Sequence, residues 1–330
     1  MKIINKLREK LENVEENISM AQYSTFRLGG PAKYFYIAKS SDEMIKAVQA
    51  AHELDLEIFI LAGGSNLLIA DAGFDGLVIK AENKKIELKN ETTIFAEGGA
   101  SWNDFVMFTA DNSLTGVEWG AGIPGTVGGA IRGNAGAFGR SISEVIDSVN
   151  VIKISDEVKT ITMSDAECKF DYRESIFKQD KNLIILSAEL SLQTGNREEI
   201  KNIIKEKIAY RKNTQPCEPS AGCTFKNIIV TDEIRAKIKK INPEGEQKIK
   251  SDPGKGGTSK IGAGWFIDQA GLKGYQIGGV KVSDQHANFI VKVDESARTD
   301  HVIQLISYIK QQVRDNLGIQ LHEEVQYVGF

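Results

Sequence analysis

Apolar positions along this chain fall into two rhythms. In the first twenty residues Ile3, Ile4, Leu7, Leu11, Val14 and Ile18 recur at helical spacing with charges between them, which predicts an amphipathic helix over residues 1–20. The same rhythm returns at Met44, Ala47, Val48 and Ala51, behind Ser40-Ser41-Asp42-Glu43. Ser40 with Glu43 has the form of a capping box, so a helix is predicted from there to about Leu54. Further helices are predicted over 101–112, 196–212, 263–270 and 299–316. Short apolar runs bounded by turn residues predict strands near 32–38, 57–61, 77–80, 85–89, 93–97, 145–154, 158–162, 182–192, 286–293 and 323–328. Strands outnumber helices early, and the two alternate at the end. That order predicts an α+β fold rather than one doubly wound sheet.

With 330 residues the prior is two or three domains. Asn213–Ser220 carries two of the six prolines and little hydrophobicity, so a boundary is expected near 213–221. The expected organisation is a helix over 1–20, one domain over 21–212 and a second over 213–330. The polar, Gly/Lys-rich stretch from Pro243 to Gly257 reads as a flexible surface insertion. Hydrophobic residues make up 41% and charged residues 26%, the composition of an ordinary soluble globular protein. Forty-one basic against 45 acidic residues leave a formal charge of −4. That balance argues against a nucleic-acid or anionic-membrane partner. The chain holds no apolar run near 18 residues, so no membrane span is expected. The first twenty residues lack the pattern of a signal peptide. Cys168, Cys217 and Cys223 include no CxxC pair, which points to a reducing compartment, a cytoplasmic location and no cysteine zinc site. His52, His286, His301 and His322 show no paired metal spacing, and no metal is expected.

The glycines carry the candidate chemistry. Nine fall in the 24 residues from Gly116 to Gly139, where the chain average of 31 in 330 gives about two. Gly120-Ala121-Gly122-Ile123-Pro124-Gly125 spells GxGxxG, but Pro124 lacks an N–H and no buried strand precedes it, so a dinucleotide-type βαβ turn is disfavoured. A different glycine-rich phosphate or flavin loop fits better. Gly254–Lys260 resembles a phosphate loop in composition only, without its spacing. Gly63-Gly64-Ser65-Asn66 follows a predicted strand directly. Alone it could be a tight turn. Together with the loop at 122–134 it reads as one of two anion nests able to hold a dinucleotide. Cys223 sits after a glycine in a loop, where a buried inert thiol is the ordinary reading.

Six motifs recur in an order that resembles a known family. They are Tyr23-Ser24-Thr25-Phe26-Arg27-Leu28-Gly29-Gly30-Pro31-Ala32, Leu61–Leu68, Gly122–Ala130, Asp171-Tyr172-Arg173-Glu174-Ser175, Gly222-Cys223-Thr224-Phe225-Lys226-Asn227 and Leu321-His322-Glu323-Glu324-Val325. Together, over about residues 20–330, they resemble the UDP-N-acetylenolpyruvoylglucosamine reductases, flavoenzymes of peptidoglycan precursor synthesis.

The resemblance implies an α+β FAD-binding domain of the vanillyl-alcohol-oxidase/PCMH type in two subdomains. A C-terminal α+β substrate-binding domain would follow. It implies FAD as cofactor, NADPH as co-substrate and a UDP-sugar as substrate, in a cytoplasmic monomer. Gly63, Gly64, Ser65, Asn66, Leu67, Gly122, Gly125, Thr126, Gly128, Gly129 and Asn134 would border the FAD. Arg173, Cys223 and Glu324 match the family's catalytic arginine, proton donor and glutamate, and Tyr172, Tyr210, Arg211, Lys226, Asn227 and His286 would border the substrate. Arginine suits a planar carboxylate, and fixed donors stabilise the enolate-like species formed after hydride transfer. Cys223 stands where many members have serine, and His286 where some have glutamine. The stretch from Tyr172 to Leu190 is too short for the loop that covers the uridine in some members, yet the segment 228–261 resembles the longer form. The competing reading is another flavin oxidoreductase of the same fold, acting on a hydroxy acid or alcohol.

Overall fold

The computed structural model describes residues 2–251 and 258–330. Two compact units divide the chain: residues 1–19, 31–63 and 74–211 form unit one, and 20–30, 64–73 and 212–330 form unit two. Breaks fall at 19/20 and 211/212, within a residue of the expected boundaries, while residues 20–30 and 64–73, expected in the first domain, group with the C-terminal half.

Unit one holds two sheets and two cores. In the four-stranded sheet Glu15–Ser19, Pro31–Ala38, Phe74–Ala81 and Ile58–Leu61 lie side by side in that order. The first pair is antiparallel and the other two are parallel. Helix Ser41–Glu53 packs on this sheet with Met44, Ala47, Val48 and Ala51 fully buried, as their spacing predicts. Its start is fixed by Ser40, whose side chain accepts the Glu43 N–H at 3.1 Å. The five-stranded sheet is antiparallel throughout, in the order Val158–Ser164, Ile146–Ile154, Leu183–Ser191, Thr93–Glu97, Ile86–Leu88. Leu183–Ser191 is buried on both faces, Ile184 and Leu186 in one core and Ala188 and Leu190 in the other. Helices Trp102–Asp111 and Val127–Arg132 pack into the second core.

The N-terminal helix is shorter than predicted. It spans Ile3–Lys10 and is followed by strand Glu15–Ser19. Asn13 and Asn17 take left-handed φ values of 61° and 58°, which an α-helix does not accommodate. Leu11 and Val14 are buried all the same. Helical spacing there is a coincidence: Ile4 and Leu7 of the helix and Leu11 and Val14 of the segment after it bury into one core, while Ile18 of the strand is only half-buried.

Unit two is a smaller α+β assembly. Ser220–Cys223, Phe289–Lys292, Val280–Val282 and Gln276–Ile277 form an antiparallel sheet. Helices Thr299–Leu317, Ala263–Gln269 and Asp232–Ile241 supply buried apolar residues to its core. Leu67–Ile69 belongs here because it pairs in parallel with Gln326–Val328, and Leu68 is fully buried in this core. The expected surface insertion is packed in its first part: 3₁₀ turns run over Pro243–Lys248, and a Cβ on Gly245 would come within 2.5 Å of the Trp265 ring. Residues 252–257, with most of the glycine–lysine run, lie outside the described residues. Among the described residues no helix is long and apolar enough to cross a membrane, and no group of three or more His, Cys, Asp or Glu could hold a metal ion.

Candidate active site

In unit one the glycines at 63, 125 and 128 let backbones touch. A Cβ on Gly63 would lie 2.6 Å from the Cα of Gly125, and Gly125 has φ +138°. A Cβ on Gly128 would lie 2.9 Å from the Gly98 carbonyl oxygen. The segment 122–134, expected as a loop, contains helix Val127–Arg132 capped by Thr126, whose side chain accepts the Gly129 N–H at 3.2 Å. The Val127 and Gly128 amides donate to the carbonyls of Ala100 and Gly98, both at 2.9 Å. These three amides are therefore engaged inside the protein. In that respect the segment differs from the open anion nest expected of it, and its glycine density answers to close backbone packing.

Gly122, at φ +79°, donates its N–H to the Asn103 side-chain oxygen at 2.8 Å. The aliphatic part of Arg211 lies over it, and the Arg211 guanidinium donates to the carbonyls of Ala121 at 2.9 Å and Trp119 at 3.0 Å. Arg211 thus clamps the glycine-rich loop to helix Arg197–Thr214. Its neighbour Tyr210 is half exposed and meets the Phe138 ring edge to face, centroids 5.4 Å apart.

Tyr172 and Arg173 sit at the tip of a two-residue turn, closed by N–H···O bonds exchanged between Asp171 and Glu174, each 3.0 Å. Arg173 has φ +56°. Its guanidinium donates to the carbonyls of Gly136 at 2.8 Å and Asn134 at 3.4 Å, and lies 5.6 Å from the centre of the Tyr172 ring. Asn134 is buried, donates its side-chain amide to the Asp171 carbonyl at 2.8 Å and accepts the Ser143 N–H at 3.3 Å. The glycine-rich segment and the arginine turn are thereby one piece. Beneath them the Ser175 hydroxyl donates to the Arg132 carbonyl at 2.6 Å. Burial lowers the pKa of the Arg132 guanidinium, and Glu174 opposes that shift.

Unit two assembles its residues from distant segments. Gly64 has φ +61°, and a Cβ there would lie 2.1 Å from the Tyr23 carbonyl oxygen. Asn66 accepts the Gln326 N–H at 3.0 Å through its carbonyl and donates its side-chain amide to the Glu324 carbonyl at 3.2 Å. Leu67 opens the strand paired with Gln326. Among the described residues the Ser65 hydroxyl makes no hydrogen bond within the protein, and the Gly222 Cβ position is 3.9 Å from the Ser65 carbonyl oxygen.

Cys223 ends strand Ser220–Cys223, past a register shift and Gly222 at φ +76°. Thr224 then joins the two candidate catalytic segments: its N–H donates to the Asn288 carbonyl, and its carbonyl accepts the Glu324 N–H, both at 2.8 Å. Phe225 bridges to Glu323, and Lys226 donates its N–H to the His322 carbonyl at 2.8 Å. Asn227 is exposed, and the Gly262 Cβ position lies 3.9 Å from its side-chain oxygen. Cys223, Glu324, Ser65 and Asn66 are therefore neighbours in one rigid backbone network. His286 accepts the Asn288 N–H through Nδ1 at 3.3 Å and packs edge to face on Phe289. Burial lowers its pKa, and the Nδ1 bond places the proton of the neutral ring on Nε2. Cys168, by contrast, is sealed in the core of unit one, where burial pushes its thiol up to about 12.

Sequence reasoning passed over Asn288. It is 2% exposed, accepts the Phe225 N–H at 3.0 Å and donates to the Phe225 carbonyl at 2.8 Å. The one available signal is a polar residue inside the apolar run Ala287–Val291.

Comparison with known proteins assigns this arrangement. A protein of Caldanaerobacter subterraneus subsp. tengcongensis named UDP-N-acetylenolpyruvoylglucosamine reductase is 36% identical over 330 residues, 99% of this chain and 98% of its own length. The chain belongs to the UDP-N-acetylenolpyruvoylglucosamine reductase family. A family member from Solibacter usitatus is 35% identical over 317 residues, covering 96% of this chain and 97% of its own. Residues 214–328 match the family's C-terminal domain, and residues 32–162 match an FAD-binding domain. The crystal structure of UDP-N-acetylenolpyruvylglucosamine reductase from Thermus caldophilus superposes with a TM-score of 0.73 at 28% identity. It covers 96% of this chain and 99% of that one. The FAD-binding match falls within unit one apart from residues 64–73, and the family's C-terminal match falls within unit two.

Proposed function

We propose that this chain catalyses the NADPH-driven, FAD-dependent reduction of the enolpyruvyl ether of UDP-N-acetylglucosamine to UDP-N-acetylmuramate. The observation that carries the reading is identity of 36% along essentially the whole of a reductase of that name. The residues fit FAD. Gly63 and Gly125, two of the candidate cofactor residues, lie in direct backbone contact, since a Cβ on Gly63 would fall 2.6 Å from the Gly125 Cα, which brings two of the glycine-rich segments together on one side of unit one. Gly63–Leu67, Gly122, Gly125, Thr126, Gly128, Gly129 and Asn134 are assigned to holding it. When bound, FAD supplies the two-electron relay from NADPH to the β-carbon of the enolpyruvyl group.

The protein's own part is electrostatic and acid–base. Arg173 takes the substrate carboxylate, whose negative charge grows as the α-carbon becomes enolate-like. Its guanidinium is anchored to the Gly136 and Asn134 carbonyls, so no reorganisation is needed at the moment of reaction. Cys223 gives its thiol proton to the α-carbon, and solvent restores that proton. Glu324 supports the same anion as the acid or through its hydrogen bonds. The adjoining backbones of Cys223, Thr224 and Glu324 support their acting as a pair. Lys226, Asn227, Tyr172 and His286 are assigned to the substrate, His286 as a neutral Nε2–H donor. Tyr210 and Arg211 are assigned to the diphosphate, with Arg211 also holding the Trp119–Ala121 loop. The enzyme acts as a cytoplasmic monomer.

The test uses the purified chain. Its visible spectrum should show a flavin that acid releases into the supernatant. The flavin should bleach with NADPH without oxygen, then recover its colour on addition of the enolpyruvyl substrate. The product should have gained two hydrogens by mass. Bleaching without recovery, with recovery instead from a hydroxy acid's ketone, would assign the chain to another flavin chemistry.

A further inference from the structure

The turn that presents Arg173 is held from a side the reaction itself does not use. Arg173 is an L-residue at φ +56°, a conformation that such residues leave readily unless their surroundings fix it. Its guanidinium is tied down at the far end by Gly136 and Asn134. The near end is its own peptide group. Lys178, on the short helix Ile176–Gln179, folds back and donates its ammonium to the Arg173 carbonyl oxygen at 2.6 Å. The Lys178 side chain is 9% exposed and lies 3.9 Å from the Glu174 carboxylate. A buried ammonium is costly unless it is bonded and partnered. Among the groups that bond and partner it are the backbone carbonyl of Arg173 and the carboxylate of the next residue.

We infer that Lys178 is a positioning residue, fixing the left-handed peptide of Arg173 so that the guanidinium stays aimed where the substrate carboxylate arrives. The inference rests on Arg173 having the role proposed above. Lys178 acts through the carbonyl of Arg173 and touches no substrate. Rotation of the Arg173–Glu174 peptide would point that carbonyl away from the ammonium and swing the Arg173 Cα–Cβ bond with it. A shift of about 1 Å in such a group is enough to cost about 10²-fold in rate. The charge-assisted bond opposes that rotation. The guanidinium bonds at 134 and 136 then set the direction of the side chain rather than compete with a moving base.

The test is a double-mutant cycle on the FAD-loaded enzyme, following the two half-reactions by anaerobic stopped flow. Lys178→Met keeps the length and burial and removes the donor. Flavin reduction by NADPH should stay within about 2-fold of the native rate, and reoxidation by the enolpyruvyl substrate should slow about 10- to 100-fold. Arg173→Ala alone should slow reoxidation at least as much. In the Arg173→Ala background, Lys178→Met should then change reoxidation by less than about 2-fold, because the guanidinium it positions is gone while the carbonyl it bonds remains. Equal slowing by Lys178→Met in both backgrounds would overturn the inference and leave the role of Arg173 standing. Native reoxidation in Arg173→Ala would instead overturn the role of Arg173. A purely structural lysine would slow both half-reactions together and lower the melting temperature equally in both backgrounds. If Lys178→Met does not fold, Lys178→Arg, which keeps a cationic donor, serves the same cycle. It should lie between native and Lys178→Gln in reoxidation, and equality with Lys178→Gln would overturn the inference.

Discussion

Arg173 and the Cys223–Glu324 pair are built in opposite ways. The arginine turn closes on itself within residues 171–178, and its outside anchors are Asn134, Gly136 and Arg132. The pair has local bonds, such as that from the Gln326 side-chain amide to the Glu324 carbonyl at 2.9 Å, but it is assembled by long-range ones. Cys223 and Glu324 are about a hundred residues apart and meet because Thr224, Asn288 and Asn66 bond across three chain segments. The first region is a cassette that survives wherever its few donors survive. The second exists only when unit two is closed. Damage to the first should therefore appear as lost chemistry in a stable protein, and damage to the second as lost chemistry and lost stability together.

The largest effect should fall on the chemistry of both regions alike. Arg173→Ala and Glu324→Gln should each slow reoxidation by the enolpyruvyl substrate about 10²–10³-fold and leave reduction by NADPH nearly native, as read in single-turnover experiments. Equal losses in both half-reactions would move these residues to the flavin or the fold. Next, Cys223→Ala should lose most of the reoxidation rate, whereas Cys223→Ser should stay active. A free thiol ionises near pH 8.5 and a hydroxyl does not titrate in that range, so the serine variant should hold its rate to higher pH. A pH–rate profile of each is the check, and native reoxidation in Cys223→Ala would remove it as proton donor.

Stability is where the contrast sharpens. Asn288→Ala should destabilise by about 2–4 kcal/mol, since it strands both buried backbone groups of Phe225, and urea unfolding would measure it. Activity should fall in the same variant. A smaller pair of effects tests the glycines. Gly63→Ala should cost stability and flavin affinity, because its Cβ would collide with Gly125, whereas Gly129→Ala meets nothing closer than 3.5 Å and should gain up to about 1 kcal/mol from helix propensity. The smallest effect is a pH slope from His286, whose folded pKa lies below its ordinary value of 6.5 through burial. In the window from 6.5 down to that lowered pKa, the unfolded chain binds the proton and the folded chain does not. Stability should therefore decline as pH falls through the window, and His286→Gln should flatten that stretch of the stability–pH curve.

How much of this could be read in advance follows the same line. Helix Ser41–Glu53 and strands Pro31–Ala38, Ile58–Leu61, Phe74–Ala81, Ile86–Leu88 and Thr93–Glu97 carry their own periodicity, and the structure has them where the spacing predicts. Tyr172-Arg173 was legible through the resemblance that Asp171-Tyr172-Arg173-Glu174-Ser175 carries. What periodicity could not reveal is non-local. Nothing in Leu67-Leu68-Ile69 says that its partner is Gln326–Val328, so the early segments of unit two read as part of the first domain. At the N-terminus spacing misled, since two buried residues of the segment after the helix, Leu11 and Val14, and the half-buried Ile18 of the strand fell into step with a helix. The glycine-rich stretch was legible as a place of close approach. Which of its amides are free was not, because Gly98 and Ala100, which engage two of them, belong to another strand end.

The pairing of Leu67–Ile69 with Gln326–Val328 also bears on synthesis. Residues 64–73 leave the ribosome about 260 residues before the strand that completes them. Throughout that interval Leu68, destined for full burial, lacks its paired strand and most of its core neighbours. Unit one can begin to close around its own hairpins while the nascent chain lengthens. Unit two cannot, and the Cys223–Glu324 network closes only when the final strand arrives. A chain interrupted between Arg211 and that strand would carry the arginine turn and the glycines of unit one, and no finished network beside them.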